Sequence, residues 1–146
     1  MSEKILKKVQ IIITTSDGYT LLLKTTPTRG DFWQSVTGGV EISDKDFFHA
    51  AIREVVEETG IEPDAFLQKD DLAMDFTFFD TPKNIQVLEK IFHFILPTPQ
   101  EIKLDPHEHE TYKWLKLSLF SREDVKYEQN YQAISKVSSS ILKPFR

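Results

Sequence analysis

The sequence predicts an α/β or α+β domain in which a mixed β-sheet lies between helices. Strand-like runs precede and follow one helical segment, a second helical segment closes the chain, and the opening runs are apolar throughout, as in strands covered on both faces. Residues 9–15 (VQIIITT) and 19–24 (YTLLLK) form an opening hairpin around the tight-turn signal Ser16-Asp17-Gly18. Residues 32–37 (FWQSVT) make a further short strand, ended by Gly38-Gly39. From about 45 to 59 the period is helical: Phe48, Ala51, Ile52, Val55 and Val56 fall at i, i+3, i+4, i+7 and i+8. Ser43, Asp44 and Asp46 supply caps or first-turn acids, and Gly60 the stop. Strands follow over 72–79 and 85–96, joined by Thr81-Pro82-Lys83-Asn84, and over 111–116. The stretch 127–142 sets Tyr131, Ile134, Val137 and Ile141 along one helical stripe.

The 146 residues are read as one domain, 1–146, large enough to bury a core without a disulfide or structural zinc. Without cysteine there is no thiol catalysis and no cysteine-based zinc site. The 23 acidic against 18 basic residues leave no basic stripe, so a nucleic-acid polymer is not an expected partner. Residues 1–8 lack the apolar run of a signal peptide, and no stretch approaches the ~20 residues that span a bilayer, so the expected setting is cytoplasmic, away from membranes. His49 and His93 are assigned to packing or surface, Phe76-Thr77-Phe78-Phe79 to the core in preference to a pocket wall, and Ser138-Ser139-Ser140 to no function.

Chemistry concentrates opposite the apolar stripe of the first helix. Glu54, Glu57 and Glu58 stand at i, i+3 and i+4, so three like charges share one face. They also occupy the last turns, where the helix dipole disfavours anions by roughly 0.3–1 kcal/mol each. Arg53 can pair with Glu57 at i+4 and leaves the other two uncompensated. A hard divalent cation such as Mg2+, which takes carboxylates, waters and substrate phosphates, would supply the missing charge. By spacing alone, a solvated acidic face is the commoner explanation.

The surrounding string decides between them. Residues 39–61 read GVEISDKDFFHAAIREVVEETGI, and with Gly38 in front this resembles the Nudix box, G-x5-E-x7-R-E-U-x-E-E-x-G-U, with U apolar. Residues 53–61 match its second half at every specified position. The first half departs: counted from Gly39 the glutamate position falls on Lys45, and counted from Gly38 it falls on Asp44 with one extra residue before Arg53. The second alignment is preferred because it preserves a carboxylate. The resemblance implies an α/β/α sandwich and hydrolysis of a nucleoside diphosphate derivative with Mg2+ or Mn2+. It further implies Glu54, Glu57 and Glu58 as metal ligands, a backbone carbonyl of Gly39 or Gly38 beside them, and Arg53 orienting the carboxylates. Glu108 is the candidate base, with His109 and Glu110 as rivals.

Within the family, Asp31-Phe32-Trp33-Gln34-Ser35-Val36-Thr37-Gly38, with Tyr112-Lys113-Trp114-Leu115 and Gln132-Ala133-Ile134, is similar to the dihydroneopterin triphosphate pyrophosphohydrolases, which also accept deoxynucleoside triphosphates such as dATP. That likeness implies cleavage of a nucleoside or pterin triphosphate to the monophosphate and pyrophosphate. Trp33 would offer a flat surface and Gln34 an amide to the ring, and Lys24, or Arg29 in the next loop, would contact phosphate. Only one of Phe32 and Trp33 can face a pocket from an alternating strand. The alternatives are a Nudix hydrolase of dinucleoside polyphosphates or nucleotide sugars, and a non-catalytic nucleotide-binding domain.

Overall fold

The computed structural model describes residues 4–141; Met1, Ser2 and Glu3, and Leu142 of the predicted closing helix, lie outside the described residues. The elements are β1 (Ile5–Thr15), β2 (Tyr19–Thr25), β3 (Trp33–Gln34), β4 (Val36–Gly39), α1 (Phe47–Thr59), β5 (Gln68–Asp80), β6 (Ile85–Leu96), β7 (His109–Lys116) and α2 (Glu128–Ile141). All seven strands join one mixed sheet. β1 runs parallel to β6 from Ile5 opposite Gln86 to Thr15 opposite Leu96, and β5 lies antiparallel on the outer edge of β6.

The opening hairpin forms and then splits. β1 and β2 pair at Thr14–Thr20, and β2 goes on to pair antiparallel with β7. Residues 33–39 fill the wedge, pairing first with β2 (Trp33 opposite Lys24, Gln34 opposite Leu23) and then with β1 (Val36 opposite Ile11 through to Gly39 opposite Lys8). The strand expected over 32–37 is therefore two, broken at Ser35 where the chain changes partner, and Gly38 and Gly39 lie inside β4 rather than ending it.

Alternation along the strands builds two cores. Val9, Ile11 and Ile13 of β1, with Phe92 and Phe94 of β6, face Ala51 and Val55 of α1. Ile12, Leu22 and Ile91 face Ala133, Ile134 and Val137 of α2. This is the expected sandwich, sheet between helices. α1 begins where Asp46 caps it, its Oδ1 accepting from the His49 N–H at 2.8 Å, and ends at Gly60, whose φ of 76° permits the left-handed stop.

β5 is longer than expected and carries a bulge: Ala73 has φ 51° and pairing with β6 slips between Asp71 and Met74. Its residues alternate exposed and half-buried, because an edge strand is covered on one face only. The core assignment of Phe76-Thr77-Phe78-Phe79 is thereby corrected: Phe76 packs at the margin of the α2-side core, and Phe78 and Phe79 line a cavity. His49 is exposed and bonded to Asp46, whereas His93 is buried with Nε2 2.7 Å from Thr14 Oγ1. Among the described residues no helix is long and apolar enough to cross a membrane.

Candidate active site

The polar face of α1 is turned towards β4. Glu54 and Glu58 are buried, 7% and 5% exposed, while the Glu57 side chain stays half exposed. A side chain on Gly38 could not coexist with them: a Cβ there would fall 1.5 Å from Glu54 Oε2, whereas nothing lies within 4 Å of the same position on Gly39. Glycine at 38 therefore lets the carboxylate reach the β4 backbone.

Arg53 ties the region together. Its Nε and Nη2 grip Asp44 Oδ1 and Oδ2 at 3.0 and 2.9 Å, Nη1 donates to Glu54 Oε1 at 3.3 Å and Glu57 Oε2 at 3.1 Å, and Nη2 donates to the Gly39 carbonyl at 2.8 Å. The Arg53 bond holds the Asp44 carboxyl below the usual range, and Asp44 in turn holds the guanidinium proton more firmly. Asp44, not Lys45, thus occupies the expected carboxylate position. α1 runs unbroken from Phe47, so the extra residue is absorbed ahead of it. Gly39, expected as a backbone metal ligand, gives its carbonyl to Arg53 in this arrangement.

His109 at the head of β7 is buried, with Nδ1 2.8 Å from Glu58 Oε2 and Nε2 3.2 Å from Gln34 Nε2. The Nδ1 contact lies off the hydrogen-bond line, so Glu58 Oε2 and His109 Nδ1 are both buried without a hydrogen-bond partner. Glu108 pairs with Arg29, Oε2 to Nη1, at 2.7 Å. Glu54, Glu58, Gly38, Gly39, Gln34, Glu108, His109 and Arg29 meet around a cavity of about 350 Å³.

Two expected substrate contacts lie elsewhere. Lys24 is 3.3 Å from Asp31 and 3.5 Å from Glu110, which raise its pKa and occupy its charge away from the cavity. Trp33 packs at the margin of the α2-side core with Lys113 Nζ 4.3 Å from its ring centre. With Gln34 turned into the cavity, alternation sends its neighbour the other way. Conversely, Lys8, Thr37 and Lys83 line the cavity without having been singled out. Lys8 belongs to a β1 that begins four residues earlier than its apolar run, and Lys83 to the β5–β6 connection, so neither carries a local signal.

Among the described residues no three acidic or histidine side chains stand in a closed metal-binding cluster, because Glu57 is turned onto Arg53. The donor set nevertheless fits a hard cation. Glu54 and Glu58 are buried carboxylates on one helix face, Glu58 Oε2 has no hydrogen-bond partner, and Gly38 leaves a cradle beside them. Burial pushes the Glu54 pKa up to about 7; Arg53 opposes this, and the charges of Glu58 and Glu57 add to it.

Comparison with known proteins follows the same lines. A family model described as NUDIX domain matches residues 5–136. Dihydroneopterin triphosphate diphosphatase of Escherichia coli (strain K12) is 29% identical over a 133-residue alignment, covering 79% of this chain and 83% of that protein. The structure of the E. coli dihydroneopterin triphosphate pyrophosphohydrolase superposes with a TM-score of 0.78 at 28% identity, over 92% of this chain and 95% of the other. The NUDIX domain of Shewanella oneidensis NrtR complexed with ADP ribose shares the fold, with a TM-score of 0.77 at 13% identity over 96% and 90% of the two chains.

Proposed function

The chain belongs to the NUDIX family of hydrolases, and on that premise we propose that it cleaves a nucleoside or pterin triphosphate, of the dihydroneopterin triphosphate or dATP kind, between the α and β phosphates. The products are the monophosphate and pyrophosphate. The single observation that carries this reading is the burial of Glu54 and Glu58 side by side against Gly38, at the mouth of a cavity also lined by Lys8, Arg29 and Lys83. Buried carboxylates and the cations Lys8, Arg29 and Lys83 around one cavity suit a metal-bound polyphosphate.

Glu54 and Glu58, with Glu57 as the third carboxylate, would hold Mg2+ or Mn2+. When bound, the ion supplies charge neutralisation on the phosphates and activation of water. Arg53 fixes the carboxylates through Asp44 and the Gly39 carbonyl. Lys8, Arg29 and Lys83 would bind phosphate oxygens by charge. Glu108, on the cavity wall and paired there with Arg29, is the proposed proton acceptor for the attacking water; it is preferred to Glu110 because Glu110 does not line that cavity. Support for a triphosphate comes from the E. coli relative, whose name specifies that substrate class. A cytoplasmic setting, where Mg2+ and such triphosphates coexist, belongs to the same reading.

The test is product analysis with Mg2+ on dihydroneopterin triphosphate, the nucleoside triphosphates, a dinucleoside polyphosphate and a nucleotide sugar, with and without added pyrophosphatase. Pyrophosphate released from a triphosphate is the expected result. Orthophosphate released directly, or turnover confined to the last two substrates, would overturn it. For the base, Glu108→Ala is expected to lower kcat about 100-fold and more than Glu110→Ala; the reverse ranking would move the role to Glu110.

A further inference from the structure

His109 follows the proposed base Glu108 in the chain yet faces a different group, and a bulge is the cause. β2 and β7 pair in step from Tyr19 opposite Lys116 to Lys24 opposite Thr111, but Thr25 then faces His109, so Glu110 is an extra residue in β7. Tyr112 and Trp114 pack on the α1-side core, and strict alternation would send Glu110 to that face next. The bulge leaves Glu110 beside Lys24 and puts His109 there instead, 4% exposed, against Glu58 of α1. The turn before β7 is held as well: the His109 N–H donates to the Asp105 carbonyl at 3.0 Å, and the Thr26 N–H to the Glu108 carbonyl at 3.2 Å.

The neighbours of the ring fix where its hydrogen sits. Gln34 presents Nε2, a donor, to His109 Nε2 at 3.2 Å, and Glu58 presents Oε2, an acceptor when ionised, to Nδ1 at 2.8 Å. A neutral ring with its hydrogen on Nε2 would set donor against donor at Gln34 and lone pair against lone pair at Glu58. Placing the hydrogen on Nδ1 removes both conflicts. Glu58 Oε2 and His109 Nδ1 are each buried without a hydrogen-bond partner, so a turn of the carboxylate onto the N–H satisfies both at once. An ionised carboxylate has about four lone-pair sites, and accepting this one bond leaves Glu58 able to bind a cation.

We propose that His109 is a positioning residue for the metal site: with its tautomer set by Gln34, its Nδ1–H fixes the orientation in which Glu58 meets the cation. This rests on the assignment of Glu58 as a metal ligand and adds to it the groups that hold that ligand. Arg53 donates to Glu54 and Glu57 but not to Glu58, so the third carboxylate of the helix face needs a donor from elsewhere in the fold. The extra residue in β7 brings it one. Partners that orient metal-ligating side chains are worth about 10- to 100-fold in metal affinity.

One arm of the test involves no catalysis. In long-range 1H–15N spectra of the wild type in chelator, at about pH 8 where an ordinary histidine is neutral, His109 is expected to show the Nδ1–H tautomer, and Gln34→Leu to leave a mixture of tautomers. Mn2+ titrations without nucleotide, followed by electron paramagnetic resonance, should give a Kd about tenfold higher in His109→Leu. His109→Asn, whose amide N–H stands in for Nδ1–H, should bring the Kd back towards that of the wild type. With dATP as substrate, the Mg2+ needed for half-maximal rate should rise in His109→Leu by the same factor while KM at saturating Mg2+ is unchanged. If His109→Leu fails to fold, the wild-type tautomer and a raised Mn2+ Kd in Gln34→Leu decide instead. An Nε2–H tautomer in the wild type, an unchanged Kd in the leucine variants, or equal losses in His109→Leu and His109→Asn would overturn the proposal. A wild type that binds no Mn2+ would refute the metal reading and this role with it, whereas Mn2+ binding that ignores His109 refutes this role alone.

Discussion

At Arg53 an irregular spacing becomes a geometry. Counting residues leaves Lys45 or Asp44 in the carboxylate position; the paired bonds from Arg53 to both Asp44 oxygens settle it. Asp44→Ala should cost about 1–3 kcal/mol of stability in urea unfolding, and Lys45→Ala less than about 0.5 kcal/mol; equal effects would contradict that assignment. Glu54 carries part of the pH dependence, in the same direction as buried Glu89, whose pKa burial also raises. Its folded pKa, about 7, lies above the unfolded value, so the folded state keeps its proton longer. The stability it contributes is fully present below the unfolded pKa near 4.5 and is lost as pH rises towards 7. Unfolding in a chelator should show that decline across this window, and Glu54→Gln should lessen it, leaving the share of Glu89; an unchanged slope would contradict the burial argument. That Glu54, Glu57 and Glu58 share one helix face was legible from spacing, and only the surrounding string pointed from that face to a metal. The partners of Lys24 were not, since Asp31 and Glu110 meet it only when β2 has paired with β7.

At the scale of elements, α1 was readable almost to the residue because everything that defines it is local: the apolar stripe, Asp46 at the start and Gly60 at the end. Asp46→Ala should lower Tm by a few degrees, and an unchanged Tm would contradict its role as the cap. β3 and β4 were not separable in sequence, since the break at Ser35 reflects a change of neighbour from β2 to β1, which no local pattern records. Their function concentrates in one glycine. Gly38→Ala must push Glu54 aside, so metal-supported turnover should fall by at least tenfold while Gly39→Ala, with open space around it, stays near wild type. Comparable rates in the two variants, measured at saturating Mg2+, would contradict the close approach of α1 to β4.

Across the whole molecule, the layer order followed from the alternation of strand-like and helical segments, and so did the two cores. The cavities did not. Each draws residues from β1, from the 33–39 segment and from a distant loop or helix, and the misassigned aromatics show why: Trp33 and Phe79 are alike in composition but differ in which strand face a neighbour covers. The sheet therefore brings together two surfaces that sequence proximity keeps apart, an acidic helix face and a cationic rim. Their joint purpose is tested most directly by pyrophosphate release from a triphosphate, with Mg2+ and with chelator, in the wild type and in Glu58→Gln. The expected result is Mg2+-dependent release that falls by at least 100-fold in Glu58→Gln while its unfolding midpoint without metal is unchanged or higher, because one of three crowded anions is gone. Release that persists in chelator, or near-normal release by Glu58→Gln, would contradict a metal site built on this helix.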